Sequence, residues 1–212
     1  ELGNITAGTL NIGNSSTGNI TVDGISAANS NNATTVNLTT ASASSVSFSN
    51  NASTFQALDV SSGNGINQSV NVTTSSTATL DADSNDDGSG DYSNTAGTFS
   101  TGGSGLSITA NDFGLSGAIN TGTGTTTILI SDGGSIGLGS TVGNMTITGT
   151  ELGNITAGTL TIGDSTAGAM TVNGISSANS TNITTVDLNS SSIAFSTGDS
   201  TFNGLTATAN TG

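Results

Sequence analysis

The sequence predicts an all-β chain wound as an elongated parallel β-solenoid. Three observations predict it: apolar residues recur as period-two pairs, turn-forming residues separate the pairs, and the block that opens at Glu1 recurs at Glu151.

The pairs are Leu10/Ile12, Ile20/Val22, Val36/Leu38, Val46/Phe48, Val70/Val72, Leu106/Ile108, Ile128/Ile130, Ile136/Leu138, Met145/Ile147, Leu160/Ile162 and Met170/Val172. Such alternation belongs to strands with one face buried. Between them stand Asp23-Gly24, Asn64-Gly65, Gly133-Gly134 and Asn173-Gly174, residues that tolerate the positive φ of sharp corners. Thr, Ser, Asn, Gly and β-branched residues fill every window and rank low on the helix scale, which nearly excludes helices. Aromatics make up 3 % of the chain, too few to fill the space between two large sheets. A narrow solenoid core suits small aliphatic side chains. At roughly 20–25 residues per coil and about 4.8 Å per coil, the chain predicts about eight to ten coils over roughly 40–50 Å.

Glu1–Leu38 and Glu151–Leu188 are identical at most positions, including the whole opening ELGNITAGTL. Ser45–Leu58 and Ser192–Leu205 realign at a slightly shorter offset, so insertions are tolerated between coils. Residues 1–150 therefore form one repeat unit, with an acidic excursion expected at 81–94. Residues 151–212 begin the next unit of the same continuous solenoid. The chain opens at Glu1 without the charged and apolar regions of a signal peptide, as an excised piece would.

Lys, Arg, His, Cys, Pro and Trp are all absent, and 14 acidic residues give a net charge of −14. Salt bridges between side chains are therefore impossible, and solubility must come from hydroxyl and amide groups. Nucleic acid and anionic membrane surfaces both recruit Lys and Arg, so neither is expected as a partner. No apolar stretch approaches the roughly 20 residues of a membrane helix. Trypsin-type proteases find no cleavage point. The absence of cysteine fits an exported protein and gives no disulfide framework.

The densest chemistry is Asp81–Tyr92, which holds five of the acids. Asp83, Asn85, Asp87, Gly88 and Asp91 follow the D-x-N-x-D-G spacing in which alternate oxygens converge on calcium. Calcium is therefore a candidate cofactor at Asp83, Asn85, Asp87 and Asp91. Asn94 stands at the twelfth position, where a full calcium loop carries a bidentate acid, and a solvated acidic loop that deters lateral sheet contact is the competing account. Asn-x-Ser/Thr triplets, among them Asn19, Asn37, Asn71 and Asn154, are glycan acceptors in exported proteins, but with Asn, Ser and Thr so abundant the triplets arise freely by chance, and stacked Asn ladders are the favoured account. No catalytic residue is expected, because no His, Cys or Lys exists to act as base, nucleophile or electrostatic clamp. A flat ice-like hydroxyl array would need T-x-T on consecutive coils, and the motif changes between ITVDG at 20–24 and MTVNG at 170–174.

The segments GLSITANDFGLSGAINTGTG (105–124), IGLG (136–139) and ELGNITAGTLTIGDSTAGAMTVNGI (151–175) resemble the repeats of filamentous-haemagglutinin-like bacterial surface proteins. The resemblance covers most of the chain. It implies a right-handed parallel β-helix in a giant protein exported by two-partner secretion to the bacterial surface or beyond, serving in adhesion, aggregation or biofilm. The partners it implies are neighbouring repeats of the same chain, other copies in a homopolymeric filament, and cell-surface carbohydrate. Expected absences are enzymatic activity and membrane insertion.

Overall fold

The computed structural model describes residues 1–211. Its strands are short, and every pairing between them is parallel. The chain is a β-solenoid with three faces.

Nine strands stack on the first face: β1 (Ala7–Gly13), β3 (Ala33–Thr39), β6 (Ala57–Ser61), β9 (Ala78–Asp81), β12 (Leu106–Ala110), β15 (Thr125–Ile130), β18 (Ile155–Ile162), β20 (Ile183–Ser190) and β22 (Leu205–Ala209). Nine stacked strands agree with the eight to ten coils that the pattern predicts. The second face begins with β2 (Ile20–Val22), β4 (Val46–Phe48), β7 (Ile66–Gln68), β10 (Tyr92–Asn94) and β13 (Phe113–Leu115). A separate sheet continues it, in the order β17 (Met145–Ile147), β16 (Ile136–Gly139), β19 (Ala169–Asn173) and β21 (Ser192–Phe195). The third face holds β5 (Ser53–Phe55), β8 (Val72–Thr74), β11 (Thr98–Ser100) and β14 (Ala118–Asn120). The long strand β18 pairs with β14 through Ile155 and with β15 from Thr159 onward, so it bends round the corner between the third and first faces.

Residue register turns this stacking into a core. Ile12, Leu38, Val60, Leu80, Ile108, Ile128, Ile162, Leu188 and Ala207 form one inward column down the first face. The neighbouring column is broken only by Thr126, buried and hydrogen-bonded to Thr121 at 3.0 Å. The alternation of the sequence is thus the alternation of core and solvent along each strand. Glycine is required where a corner closes on the next coil: Gly163 has φ +74°, and a Cβ there would run into the Asn189 carbonyl oxygen.

Differences from the sequence reading have local causes. Coil length spans a wider range than the roughly 20–25 residues expected: the step from Val186 to its partner Leu205 is the shortest, and the step from Thr125 to its partner Thr159 is the longest. The longest coil lays β16 and β17 side by side around the loop 140–144, adding an extra strand to the second face. Val70 lies outside β8, in the corner before it, because Gln68 Nε2 donates to its carbonyl at 2.9 Å and holds the turn. The excursion expected at 81–94 closes by residue 91, since Tyr92–Asn94 is the core strand β10. Three one-turn α-helices also occur among the described residues: α1 (Ala27–Ser30), α2 (Gly149–Gly153) and α3 (Ser177–Ser180). A capping box at α2 explains its presence in a helix-poor sequence: Thr148 Oγ1 accepts from the Glu151 N–H (3.2 Å), and Glu151 Oε2 accepts from the Thr148 N–H (2.8 Å). Among the described residues no helix is long and apolar enough to cross a membrane.

Candidate functional site

The acidic segment is rooted in the ladder and projects from it. Ala82 donates its N–H to the Thr109 carbonyl (2.8 Å), and Ser84 donates to the Ser62 carbonyl (3.0 Å), so the entry to the loop continues coil pairing. Asp83 is buried between them. Its carboxylate accepts from the N–H groups of Asp87 (3.3 Å) and Gly88 (3.2 Å) and from the Ser131 hydroxyl (2.7 Å). A buried carboxylate satisfied by donors in this way ties the loop back on itself. Positive φ at Asp86 (+50°) and Gly88 (+77°) completes the bend.

The four residues singled out from the sequence fall into three places. Asn85 and Asp87 meet at the exposed tip, where Asn85 Nδ2 donates to Asp87 Oδ2 at 2.6 Å and the Ser89 hydroxyl donates to Asp87 Oδ1. Asp83 lies beneath the tip. Asp91 turns to the next coil and accepts from Asn111 Nδ2 (3.2 Å) and the Asp112 N–H (3.1 Å). Asn94 is buried in β10, away from the loop tip. Among the described residues no three acidic, His or Cys side chains are grouped to hold a metal ion.

Like charges dominate the electrostatics. Burial, then repulsion from Asp86 and Asp83, pushes the Asp81 carboxyl above its ordinary range, despite the Asp83 N–H donated to it. Asp132 is pushed up as well, by desolvation and by Asp83, Asp86 and Asp87. Asp87 moves the other way, chiefly because the Ser89 hydroxyl stabilises its charge. The sequence reading missed Ser131, which is remote in the chain from Asp83, and Asp132 beside it. Two coil steps bring Ser131 there, and a register of the coils would have found it.

A second cluster lies where the two sheets of the second face meet. A groove of about 340 Å³ is lined by Asp91, Asp112, Thr146, Thr148 and Glu151, among others. Asp112 Oδ1 accepts from the Phe113 N–H (2.9 Å) and the Thr146 N–H (2.9 Å), bridging β13 to β17. Glu151 Oε1 accepts from the Leu115 N–H (3.0 Å), and Asn154 Nδ2 donates to the Leu115 carbonyl (3.2 Å). The carboxylates here replace ladder bonds that the edge of β13 would otherwise lack.

The outward side of the first face is a polar surface that runs along the stack. One of its columns runs Asn11, Asn37, Asp59, Thr79, Ser107, Thr127, Thr161, Asp187 and Thr206. T-x-T does occur on adjacent coils, Thr125/Thr127 beside Thr159/Thr161, but Gly105/Ser107 and Thr185/Asp187 flank that pair. Several glycan-type Asn residues are tied across coils: Asn37 Nδ2 donates to Asn11 Oδ1 (2.8 Å), Asn19 Oδ1 accepts from the Ser45 N–H (3.0 Å), and Asn71 Oδ1 accepts from the Thr98 N–H (2.9 Å). Comparison with protein-family models, with curated proteins and with solved structures finds no match to this chain.

Proposed function

We propose that the chain is a non-enzymatic repeat module of a giant extracellular or cell-surface fibre. Its work is mechanical: spanning distance, resisting proteases, and presenting a stacked hydroxyl and amide surface in adhesion or biofilm. One observation carries this reading. The second repeat copy continues the columns of the first without a boundary, Leu160 and Ile162 stacking on Thr126 and Ile128 as Leu10 and Ile12 stack on Val36 and Leu38. A fold whose coils touch only their neighbours extends by addition. Resemblance to filamentous-haemagglutinin-like repeats supports the bacterial-surface setting, and the total lack of Lys and Arg supports protease resistance. Electron microscopy of the native material tests it: thin filaments of solenoid width are expected, and compact particles discard the reading.

The second reading is a module that binds carbohydrate or another cell through its loops. The exposed tip at Ser84–Asp87, the part of the acidic segment outside the core, favours it. Replacing 84–89 by a short turn should then abolish cell attachment and preserve the fibre. Attachment that survives the replacement excludes the loop as the contact. Calcium at Asp83, Asn85, Asp87 and Asp91 is a separate proposal, and it requires Asp91 to leave Asn111 and turn to the tip. Calorimetry against a chelator control tests it, with no heat of binding as the result that removes it.

A further inference from the structure

The motif ELGN occurs twice, at Glu1–Asn4 and at Glu151–Asn154. In the second copy its two polar ends grip both backbone groups of one residue, the N–H and the carbonyl of Leu115. The target lies at the unpaired edge of β13, so the motif joins one coil to an edge that no strand completes. In the first copy the Glu1 carboxylate and the Asn4 side chain make no hydrogen bond within the described chain, although the same two residues stand at the same spacing.

The apolar surface beside them differs in the same sense. Ile155 and Ile162 are fully buried, whereas their counterparts Ile5 and Ile12 are 41 % and 38 % exposed. Ile12 also lines a groove of about 260 Å³ with Leu2, Ile20, Val22 and Phe55. What covers the second copy is known residue by residue: β14 lies on Ile155, β15 on Leu160 and Ile162, and β16 on Met170 and Val172.

We infer that ELGN is a coil-docking clamp, and that the face built by residues 1–25 receives a further copy of the block 113–150, placed ahead of Glu1 as that block is placed ahead of Glu151. The inference rests on the fibre reading and names its partner and register. The counterpart of Ile128 covers Ile12, the counterpart of Ile119 covers Ile5, and Glu1 and Asn4 close on the counterpart of Leu115. The block supplies all three faces of a coil, including the second-face strand that lies on Ile20 and Val22.

The test extends the full chain ahead of Glu1 by a second copy of residues 113–150 and follows amide hydrogen exchange. Exchange in β1 should slow at least about tenfold, toward that of β18. Glu1→Ala with Asn4→Ala in the extended chain should speed exchange at the added counterpart of Leu115 and leave β20 unchanged. Glu151→Ala with Asn154→Ala should do the same to Leu115 itself. Unaltered β1 exchange overturns the inference, as does equal protection by an extension copied from residues 59–80, which would make the stacking generic. A compact or helix-rich parent chain, seen by scattering and circular dichroism before any extension, would sink the fibre reading. An elongated extended chain with an unprotected β1 sinks this inference alone.

Discussion

At the scale of single residues, the molecule solves two problems that its composition creates. The first is polar side chains in a core too narrow to exclude them. Tyr92 stacks on Phe113 with ring centroids 5.6 Å apart, and its buried hydroxyl donates to Gln68 Oε1 at 3.0 Å. Burial pushes the Tyr92 hydroxyl far above its ordinary range, so it remains a donor at every usable pH. Tyr92→Phe leaves Gln68 Oε1 without that donor, and chemical denaturation should register a loss of about 1–3 kcal/mol. The second problem is charge of one sign. Asp81 and Asp132 have raised folded-state pKa values, so protonation favours the fold, and their destabilising contribution grows as pH rises from the unfolded value of 3.8 through the folded one. Asp23 is lowered by the Asn51 and Asn50 amides and Asp87 by Ser89, so their support is present above 3.8 and is lost as pH falls through their folded values. Asp132→Asn should therefore raise the melting midpoint at pH 7, and the gain should vanish near pH 3. A midpoint that falls at pH 7 would mean that Asp132 holds the loop by bonding and not by strain of charge.

At the scale of elements, the sequence made the strands legible because their alternation is dictated by burial and their corners by Gly, Asn and Asp. Leu106–Ala110 and Thr125–Ile130 are strands for the reason their pairs suggested, with Ile108 and Ile128 stacked in one column. Coil length was not legible, because the loop at 140–144 and the acidic tip add residues without changing the alternation on either side. The candidate site suffered from the same blindness. Its local spacing at Asp83–Asp91 suggested a metal loop, but the partners that fix Asp83 and Asp91 are Ser131 and Asn111, which only coil register brings close. Repeat homology makes a paired prediction about strands. Leu58 in β6 is fully buried, and its counterpart Leu205 in β22 is 43 % exposed at the last described strand. Leu58→Ala should cost about 2–5 kcal/mol. Leu205→Ala should cost well under half as much, because the same side chain there has neighbours on one side only. Equal losses in denaturant titrations would mean that β22 is covered in solution.

At the scale of the whole molecule, a stack of coils with contacts only between neighbours draws its stability from each coil and its two interfaces. Each interior coil is held by two interfaces and each end coil by one, so opening starts at the ends. The charge distribution sharpens this gradient. A net charge of −14 without a single cation repels itself along the whole axis, and no salt bridge offsets it locally. Hydrogen exchange should accordingly be slowest in β12 and β15, faster in β3 and β20, and fastest in β1 and β22. Raising the ionic strength from about 0.01 M to about 1 M shortens the screening length from roughly 30 Å to roughly 3 Å, below the spacing of adjacent coils. Salt should therefore slow exchange throughout, and most in the acidic coils at 81–91 and 111–132, where Asp81, Asp83, Asp86, Asp87 and Asp132 crowd together. Uniform exchange along the chain would contradict neighbour-only cooperativity. Exchange that ignores salt would show that the hydroxyl and amide ladders, and not charge repulsion, set where the solenoid first comes apart.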